Sequence, residues 1–268
     1  MNQYFDINRF GKLFKKEFSE RISTILTISV IFSIILMLWW FITFLVHMTG
    51  NPSTSAPESR ATYLFIVVVL MVVSSPLILY YRCNHRKRGV DYITLPASFN
   101  EKFVSMLIHT LIIFPITIGL SILATDLVIC TINPAVFNGS ILLSGLFGAI
   151  WDYNSIEALW NIFTAFALFL LCNAVYKKNK TVKSIFSILL FYLVVAIIIS
   201  TLAYAIYGQW ININITGSIN INMDYTEATS ELHERIKPFN TTVTVLLRYL
   251  LPVAAFTGAY FKIKRQQY

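Results

Sequence analysis

Residues 22–47 have the sequence ISTILTISVIFSIILMLWWFITFLVH, a long apolar run without an acidic or basic side chain other than His47. A helix needs about 20 apolar residues to cross a bilayer, so this run is long enough to span one. Five further runs have a similar length: 62–81, 103–130, 156–176, 184–207 and 241–261. Because a spanning segment must satisfy its backbone polar groups internally, each run is predicted as a helix. The chain is therefore predicted to be an all-α integral membrane protein, a single membrane domain over 1–268 with six transmembrane helices.

The overall composition agrees with this fold class. Of 268 residues, 56% are hydrophobic and 13% are charged, and the mean hydropathy is +0.66. A soluble domain carries roughly 25% charged residues, so an ordinary globular surface is excluded. The net charge of +8 would suggest nucleic acid in a soluble protein. Here the basic residues cluster between the apolar runs, so we predict no nucleic-acid partner.

Most of the basic residues fall in alternate connections. They occupy the N-terminal lead, the second and fourth connections and the C-terminal tail: Arg9, Lys12, Lys15, Lys16, Arg21, Arg82, Arg86, Lys87, Arg88, Lys102, Lys177, Lys178, Lys180, Lys183, Lys262, Lys264 and Arg265. A basic excess marks cytoplasmic loops. Both termini are therefore predicted to be cytoplasmic, in a multi-pass membrane protein.

The lead, residues 5–20, has an amphipathic pattern. Its apolar residues at helical spacing are Phe10, Leu13, Phe14 and Phe18, and Lys12, Lys15, Lys16 and Glu20 fall between them. A basic amphipathic helix with aromatic residues is typical of the membrane interface, which predicts membrane lipid as a partner. The alternative is a positively charged anchor that only orients the first span.

The connection 208–240 is predicted to form a small cap outside the membrane. Residues 210–223, WININITGSININM, alternate strictly around Gly217, which predicts a β-hairpin. A helix over about 225–236 is expected to follow, capped by Asp224 and ended by Pro238. The apolar stretch 141–150 is too short to span and is predicted as a re-entrant or interfacial segment.

Asp126 lies within the third apolar run and Arg248 within the sixth. Charges in a span are costly and tend to pair, so we predict an Asp126–Arg248 pair. The alternative is that each side chain reaches the surface separately. Pro76, Pro115 and Pro252 also lie in spans, where each removes a backbone hydrogen bond and can kink its helix.

Catalytic motifs are missing from the sequence. It contains no HExxH, GxSxG or GxGxxG pattern and no phosphate-binding GxxxxGK[ST] loop. The scattered Cys83, Cys130 and Cys172 do not have the spacing of a metal site. We therefore predict no catalytic residues, no metal site, no cofactor bound by this chain, and no enzymatic activity of its own.

The second connection, 82–102, contains residues that the predicted topology does not explain. Its basic residues hold it inside, but its middle is apolar, with the single acid Asp91. This middle segment is predicted to dock a cytoplasmic partner through Val90, Asp91, Tyr92, Ile93 and Leu95. From Ala97 onward a helix begins, with Ser98 as its cap and Glu101 in the third helical position.

The organisation of the chain resembles the permease subunit of type 2 ATP-binding cassette (ABC) exporters of bacteria. The shared features are the amphipathic lead, six spans with both ends inside, a basic second connection and an enlarged element between spans five and six. The segment Leu95-Pro96-Ala97-Ser98-x-x-Glu101-Lys102-Phe103 also looks like one in predicted permeases of this group.

The resemblance implies a cytoplasmic ABC ATPase subunit that docks on the 82–102 coupling loop and holds ATP and magnesium. It also implies a second permease copy, in a homodimer or a heterodimer, and outward transport. Family members have short helices dipping into the membrane where this chain has its hairpin. The alternative hypothesis is a non-transporting sensor, immunity or assembly protein whose cap 208–240 binds a ligand. An intramembrane enzyme is opposed by the missing catalytic motifs.

Overall fold

The computed structural model describes residues 5–49, 57–81, 95–134, 136–137, 139–142, 155–207, 212–216, 218–222 and 230–266. It contains six helices that are long and apolar enough to cross a membrane, which confirms the six predicted spans. The chain is a multi-pass membrane protein. It divides into two compact units, one formed by Met1–Arg82 with Val90–Ala158 and the other by Cys83–Gly89 with Leu159–Tyr268.

The helices follow the apolar runs closely. They are α1 (Ile7–Met48), α2 (Pro57–Leu79), α3 (Phe99–Ile132), α4 (Ser155–Val175), α5 (Lys180–Tyr207) and α6, which combines Ser230–Val245, Leu246–Leu250 and Leu251–Gln266. Between α5 and α6 lie two antiparallel strands, β1 (Asn212–Thr216) and β2 (Ser218–Asn222). Their register pairs Ile213 with Ile221 and Ile215 with Ile219.

The lead and the first span form one helix. We predicted two elements, an interfacial helix over 5–20 and a span over 22–47, but α1 is continuous over 42 residues. The physical reason is that no Pro or Gly lies between Gly11 and Met48, so nothing interrupts the backbone hydrogen bonds where the side chains change from polar to apolar. At its start, the side chain of Asp6 caps α1 by accepting from Asn8 N at 2.8 Å.

In the first unit, α1 and α2 pack against α3. The fully buried side chains of α3 include Phe114, Ile118 and Ile122, and those of α1 include Ile25 and Leu36. Hydrogen bonds between helices supplement this packing. The hydroxyls of Ser33 and Ser121 are 2.9 Å apart, and the Tyr63 hydroxyl donates to the Phe32 carbonyl at 3.1 Å. Such bonds contribute modestly to association between membrane helices.

Prolines inside the spans are accommodated without ending the helices. Pro115 and Pro252 each follow a five-residue π-helical turn, His109–Ile113 and Leu246–Leu250. Proline cannot donate to the carbonyl four residues earlier and its ring crowds that carbonyl, so a widened turn relieves the contact.

Two of the carbonyls released by these prolines have new donors. Pro252 releases the carbonyl of Arg248, which accepts from Trp160 Nε1 at 2.6 Å. Pro76 releases the carbonyl of Val72, which accepts from the Ser75 hydroxyl at 2.7 Å. Partners of this kind are what allows proline in a membrane helix.

The second unit contains two small apolar clusters. One joins Ala167 and Leu168 of α4 to Ala255 of α6, and the other joins α5 to α6. The turn between α4 and α5 places Asn179 at a φ of 50°. Beyond it, Lys180 is fully buried and donates to Asn173 Oδ1 at 2.9 Å.

The last helix corrects one predicted boundary. Pro238 was expected to end a short helix, but it lies inside Ser230–Val245, which continues into the sixth span. A proline removes only one helical hydrogen bond, and the following helix continues past it. The hydroxyls of Thr241 and Thr242 bond the carbonyls of Lys237 and Pro238 at 2.8 and 2.7 Å. From Ser230 onward, the segment predicted as a cap is therefore continuous in backbone with the sixth span.

Candidate functional site

Glu17 is the centre of a buried polar cluster in the first unit, which we call the Glu17 cluster (Glu17, Arg21, Tyr80, Ser105 and His109). The Glu17 side chain is 1% exposed, and its Oε2 accepts from the hydroxyls of Tyr80 at 2.8 Å and Ser105 at 2.7 Å. The same oxygen lies 3.8 Å from His109 Nδ1. One carboxylate thus connects α1, the residue that follows α2, and the first turns of α3.

Arg21 and His109 complete the Glu17 cluster. Arg21 donates to the carbonyl of Leu79, the last residue of α2, and its guanidinium carbon lies 3.6 Å above the centre of the Tyr80 ring. His109 Nδ1 lies 2.8 Å from the Ser105 carbonyl oxygen, so this nitrogen carries the proton and donates. The His109 ring also contacts the Phe14 ring, with centroids 4.6 Å apart. The π-helical turn of α3 begins at this histidine.

A second set of contacts, the Glu101 clasp, lies at the start of α3. Ser98 and Glu101 form a reciprocal capping box, with Ser98 N donating to Glu101 Oε2 at 2.8 Å. Glu101 Oε1 accepts from Asp6 N at 2.8 Å and from Arg9 Nη2 at 3.0 Å. The expected cap is therefore present, and it also binds the start of α1.

The opposite end of α3 contains a third set, the Arg60 cluster (Arg60, Asp126, Cys130, Gly139 and Ile141). Arg60 Nε donates to Asp126 Oδ1 at 2.8 Å, and both side chains are 1% exposed. Asp126 Oδ2 accepts from Ile141 N at 2.8 Å, and Arg60 also donates to the Gly139 carbonyl. The pair therefore fastens the segment after α3 to the start of α2.

The structure gives Asp126 a charged partner other than the predicted Arg248. Asp126 is buried against Arg60, which lies near the start of α2. Arg248 lies in the π-helical turn of α6, in the other unit, and its backbone carbonyl accepts from Trp160. The Asp126–Arg248 pairing stays a prediction.

The predicted docking residues Val90, Asp91, Tyr92 and Ile93 lie outside the described residues. Leu95 is described, and its carbonyl accepts from Ala97 N at 2.8 Å. The predicted re-entrant stretch 141–150 is described only at Ile141, which is buried, and Leu142.

The four apolar residues of the lead belong to α1. Leu13 is buried, Phe14 packs on His109, Phe10 lies 5.9 Å from Phe14 between ring centroids, and Phe18 is 38% exposed. Part of this face therefore packs on protein.

Two key residues escaped the sequence analysis although a signal was present. Glu17 lies four residues after Leu13 and three after Phe14, so it belongs to the apolar face of the lead rather than to its charged side. Arg60 lies just before the second apolar run. Consecutive spans are antiparallel, so the start of the second span and the end of the third meet at one membrane surface, which would have suggested Arg60 as the partner of Asp126.

The chain matches no protein-family model, no curated protein and no solved structure. Among the described residues, no group of three His, Cys, Asp or Glu side chains is placed to hold a metal ion.

Proposed function

We propose that this chain is the permease subunit of an ABC exporter in the bacterial inner membrane. In this proposal two permease copies form the translocation path, and a separate cytoplasmic ATPase drives it through the loop 82–102. The support is the six-span architecture, the resemblance described above, and the attachment of both ends of that loop to α1.

The observation that carries the proposal is that α1 holds both ends of the loop. Before the loop, Arg21 binds the last carbonyl of α2 and Glu17 binds the Tyr80 hydroxyl. After it, Arg9 and the backbone of Asp6 bind Glu101 in the first turn of α3. A force applied to the loop by a docked subunit would reach α1 directly through these bonds. A loop that serves only as a tether has no need for such attachment.

The energy source must be another subunit in this proposal. The chain lacks a phosphate-binding loop, so ATP and magnesium would be held by the ATPase partner. The apolar side chains of Val90, Tyr92, Ile93 and Leu95 supply a surface that a groove on that partner could cover.

The test is co-purification of the tagged chain from its native host. We expect an ATPase with a phosphate-binding loop to come with the wild type, and to be at least tenfold reduced in a Tyr92→Ala, Leu95→Ala double variant. The matched control is Lys177→Ala, Lys178→Ala in the fourth connection, which is predicted on the same side and should leave recovery unchanged. Isolation of the wild-type chain with no ATPase under mild detergent would refute the proposal.

A second candidate function rests on the strands β1 and β2. They form an antiparallel pair between the fifth and sixth spans in the chain, which a ligand-binding cap of a sensor, immunity or assembly protein could use. Replacing residues 210–223 by a Gly-Ser linker is an experiment that distinguishes the two candidate functions. Retained ATPase recovery with lost export favours a transporter that uses its cap, and the absence of any ATPase in both forms favours the second candidate.

A further inference from the structure

The basic residues of the lead divide into two groups by their contacts. Arg9 and Arg21 face the protein, where they bind Glu101 and the Leu79 carbonyl. Lys12, Lys15 and Lys16 are exposed. Among the described residues the acidic neighbour of these lysines is Glu20, 3.8 Å from Lys16, with both side chains more than half exposed. The three lysines are therefore not used to hold the fold together.

The lysines occupy one side of the exposed surface of α1. Successive helical residues are about 100° apart, so Lys12 and Lys16 lie one turn apart with Lys15 adjacent to both. The neighbouring exposed side is apolar, with Ile7 77% and Phe18 38% exposed. The lead thus exposes a lysine stripe beside an apolar stripe. Because α1 continues without a break into the first span, both stripes run along the axis of that span, toward the phospholipid headgroups at its start.

The position of the stripe along α1 agrees with a location at these headgroups. Lys16 lies six residues before Ile22, which corresponds to about 9 Å of helix. This distance is shorter than the headgroup layer of about 5–7 Å and one screening length of about 8 Å at physiological salt taken together. A lysine stem can also bend toward the polar surface. Lys12, ten residues or about 15 Å before Ile22, is the farthest of the three, and its stem brings its ammonium group within about one screening length of the headgroup layer.

We propose that Lys12, Lys15 and Lys16 form a binding surface for anionic phospholipid headgroups, which fixes the lead of α1 at the membrane surface. The lysines supply the charge complementarity, and Phe18, four residues or about 6 Å before Ile22, supplies an apolar contact with the same lipids. The two arginines do not take part because the protein already binds them. This proposal does not depend on the chain being a transporter.

The experiment uses the full-length chain purified in a neutral detergent. Its thermal unfolding midpoint is measured with mixed micelles that contain either phosphatidylcholine alone or added phosphatidylglycerol. We expect phosphatidylglycerol to raise the midpoint in a saturable way, and high salt to abolish the rise. A Lys12→Gln, Lys15→Gln, Lys16→Gln variant should need roughly tenfold more phosphatidylglycerol for the same rise, because attraction to an anionic surface falls with each charge removed.

The matched control removes three exposed lysines elsewhere, as Lys177→Gln, Lys178→Gln, Lys183→Gln. It should keep the response of the wild type. An equal loss in this control would overturn the proposal, because net charge alone would then explain binding. A full response in the lead variant would overturn it as well. Inorganic phosphate at the same concentration should produce no rise, and an equal rise would show a general anion site instead of a lipid surface.

Discussion

Helix α3 has a polar cluster at each end, and the two differ in how fully their atoms are bonded. In the Arg60 cluster both carboxylate oxygens of Asp126 have a close donor, and the two charged side chains are 1% exposed. In the Glu17 cluster Glu17 Oε1 and His109 Nε2 are buried without a hydrogen-bond partner among the described residues. The carboxylate at the Arg60 end of α3 therefore has a donor for each oxygen, which we call saturated, whereas the Glu17 end contains buried atoms without a hydrogen-bond partner among the described residues.

This difference indicates different roles. A fully bonded buried pair resists any change, because separating it leaves an uncompensated charge away from water. A cluster with unused acceptors can exchange partners at lower cost, and an unsatisfied buried group in a native structure calls for an explanation. The Glu17 cluster also lies where the proposed coupling loop joins the helices. We infer that the contacts of the Arg60 cluster stay fixed and that the contacts of the Glu17 cluster can rearrange.

The largest expected effect comes from breaking the saturated end. Arg60→Met leaves Asp126 buried and unpaired, and should lower the free energy of unfolding by about 3–5 kcal/mol. The double variant Arg60→Met, Asp126→Leu should recover most of this loss, because apolar residues of similar size replace the pair without a stranded charge. The measurement is denaturant unfolding in mixed micelles. Lys183→Met, at an exposed lysine, is the control. A double variant as unstable as the single one would contradict a self-contained pair.

A smaller effect is expected at the unsaturated end. Glu17→Leu removes the acceptor of the Tyr80 and Ser105 hydroxyls, which can rotate toward other acceptors, so the two lost bonds should cost about 1 kcal/mol each and about 2 kcal/mol together. Glu17→Gln keeps one carbonyl oxygen, so it should lose less than half as much stability. Equal losses in the two variants would show that the carboxylate charge, through Arg21, matters more than hydrogen bonding. A loss in Glu17→Leu larger than in Arg60→Met would reverse the comparison.

The sequence predicts local features of the chain better than contacts between distant residues, for physical reasons. The six spans follow from apolar runs, because only a helix satisfies the backbone in lipid. The cap at Ser98 and Glu101 also follows from the local pattern, since its two bonds join residues three apart. Both are local properties of the chain.

The long-range contacts of Glu17 and Arg60 were not predicted. Tyr80 lies 63 residues from Glu17 in sequence, and Arg60 lies 66 from Asp126, so no local periodicity connects them. The division of the lead from the first span was also wrong, because a change from polar to apolar side chains does not interrupt backbone hydrogen bonds. The predicted docking residues 90–93 lie outside the described residues, and their role stays a prediction.

The cap of α3 provides a third, weaker test of the Glu17 end. Ser98→Ala removes the acceptor of Glu101 N, whose bond is 3.3 Å long, and should destabilise by about 1 kcal/mol. Ser98→Thr keeps the hydroxyl and serves as the control. Because Glu101 is also bound by Asp6 and Arg9, the loss should remain well below that of Glu17→Leu. A loss as large as that of Glu17→Leu would mean that the cap and the cluster unfold as one unit.

The smallest expected effect is a gain, at the side of α1 turned away from the Glu17 cluster. A Cβ added at Gly11 meets no atom within 4 Å, and Gly11 lies inside the helix Ile7–Met48. Gly11→Ala should therefore stabilise the chain by about 0.5–1 kcal/mol, because alanine loses less backbone entropy on folding.

Gly258→Ala is the matched comparison, since its new Cβ would lie 3.5 Å from Leu171 Cδ1, in ordinary contact within the second unit. Both substitutions reduce the backbone entropy lost on folding by the same amount. A loss of stability in Gly11→Ala alone would therefore show that the lead packs on something at this face. In that case the lead would be held on two sides, and the freedom that we infer for the Glu17 end would be wrong.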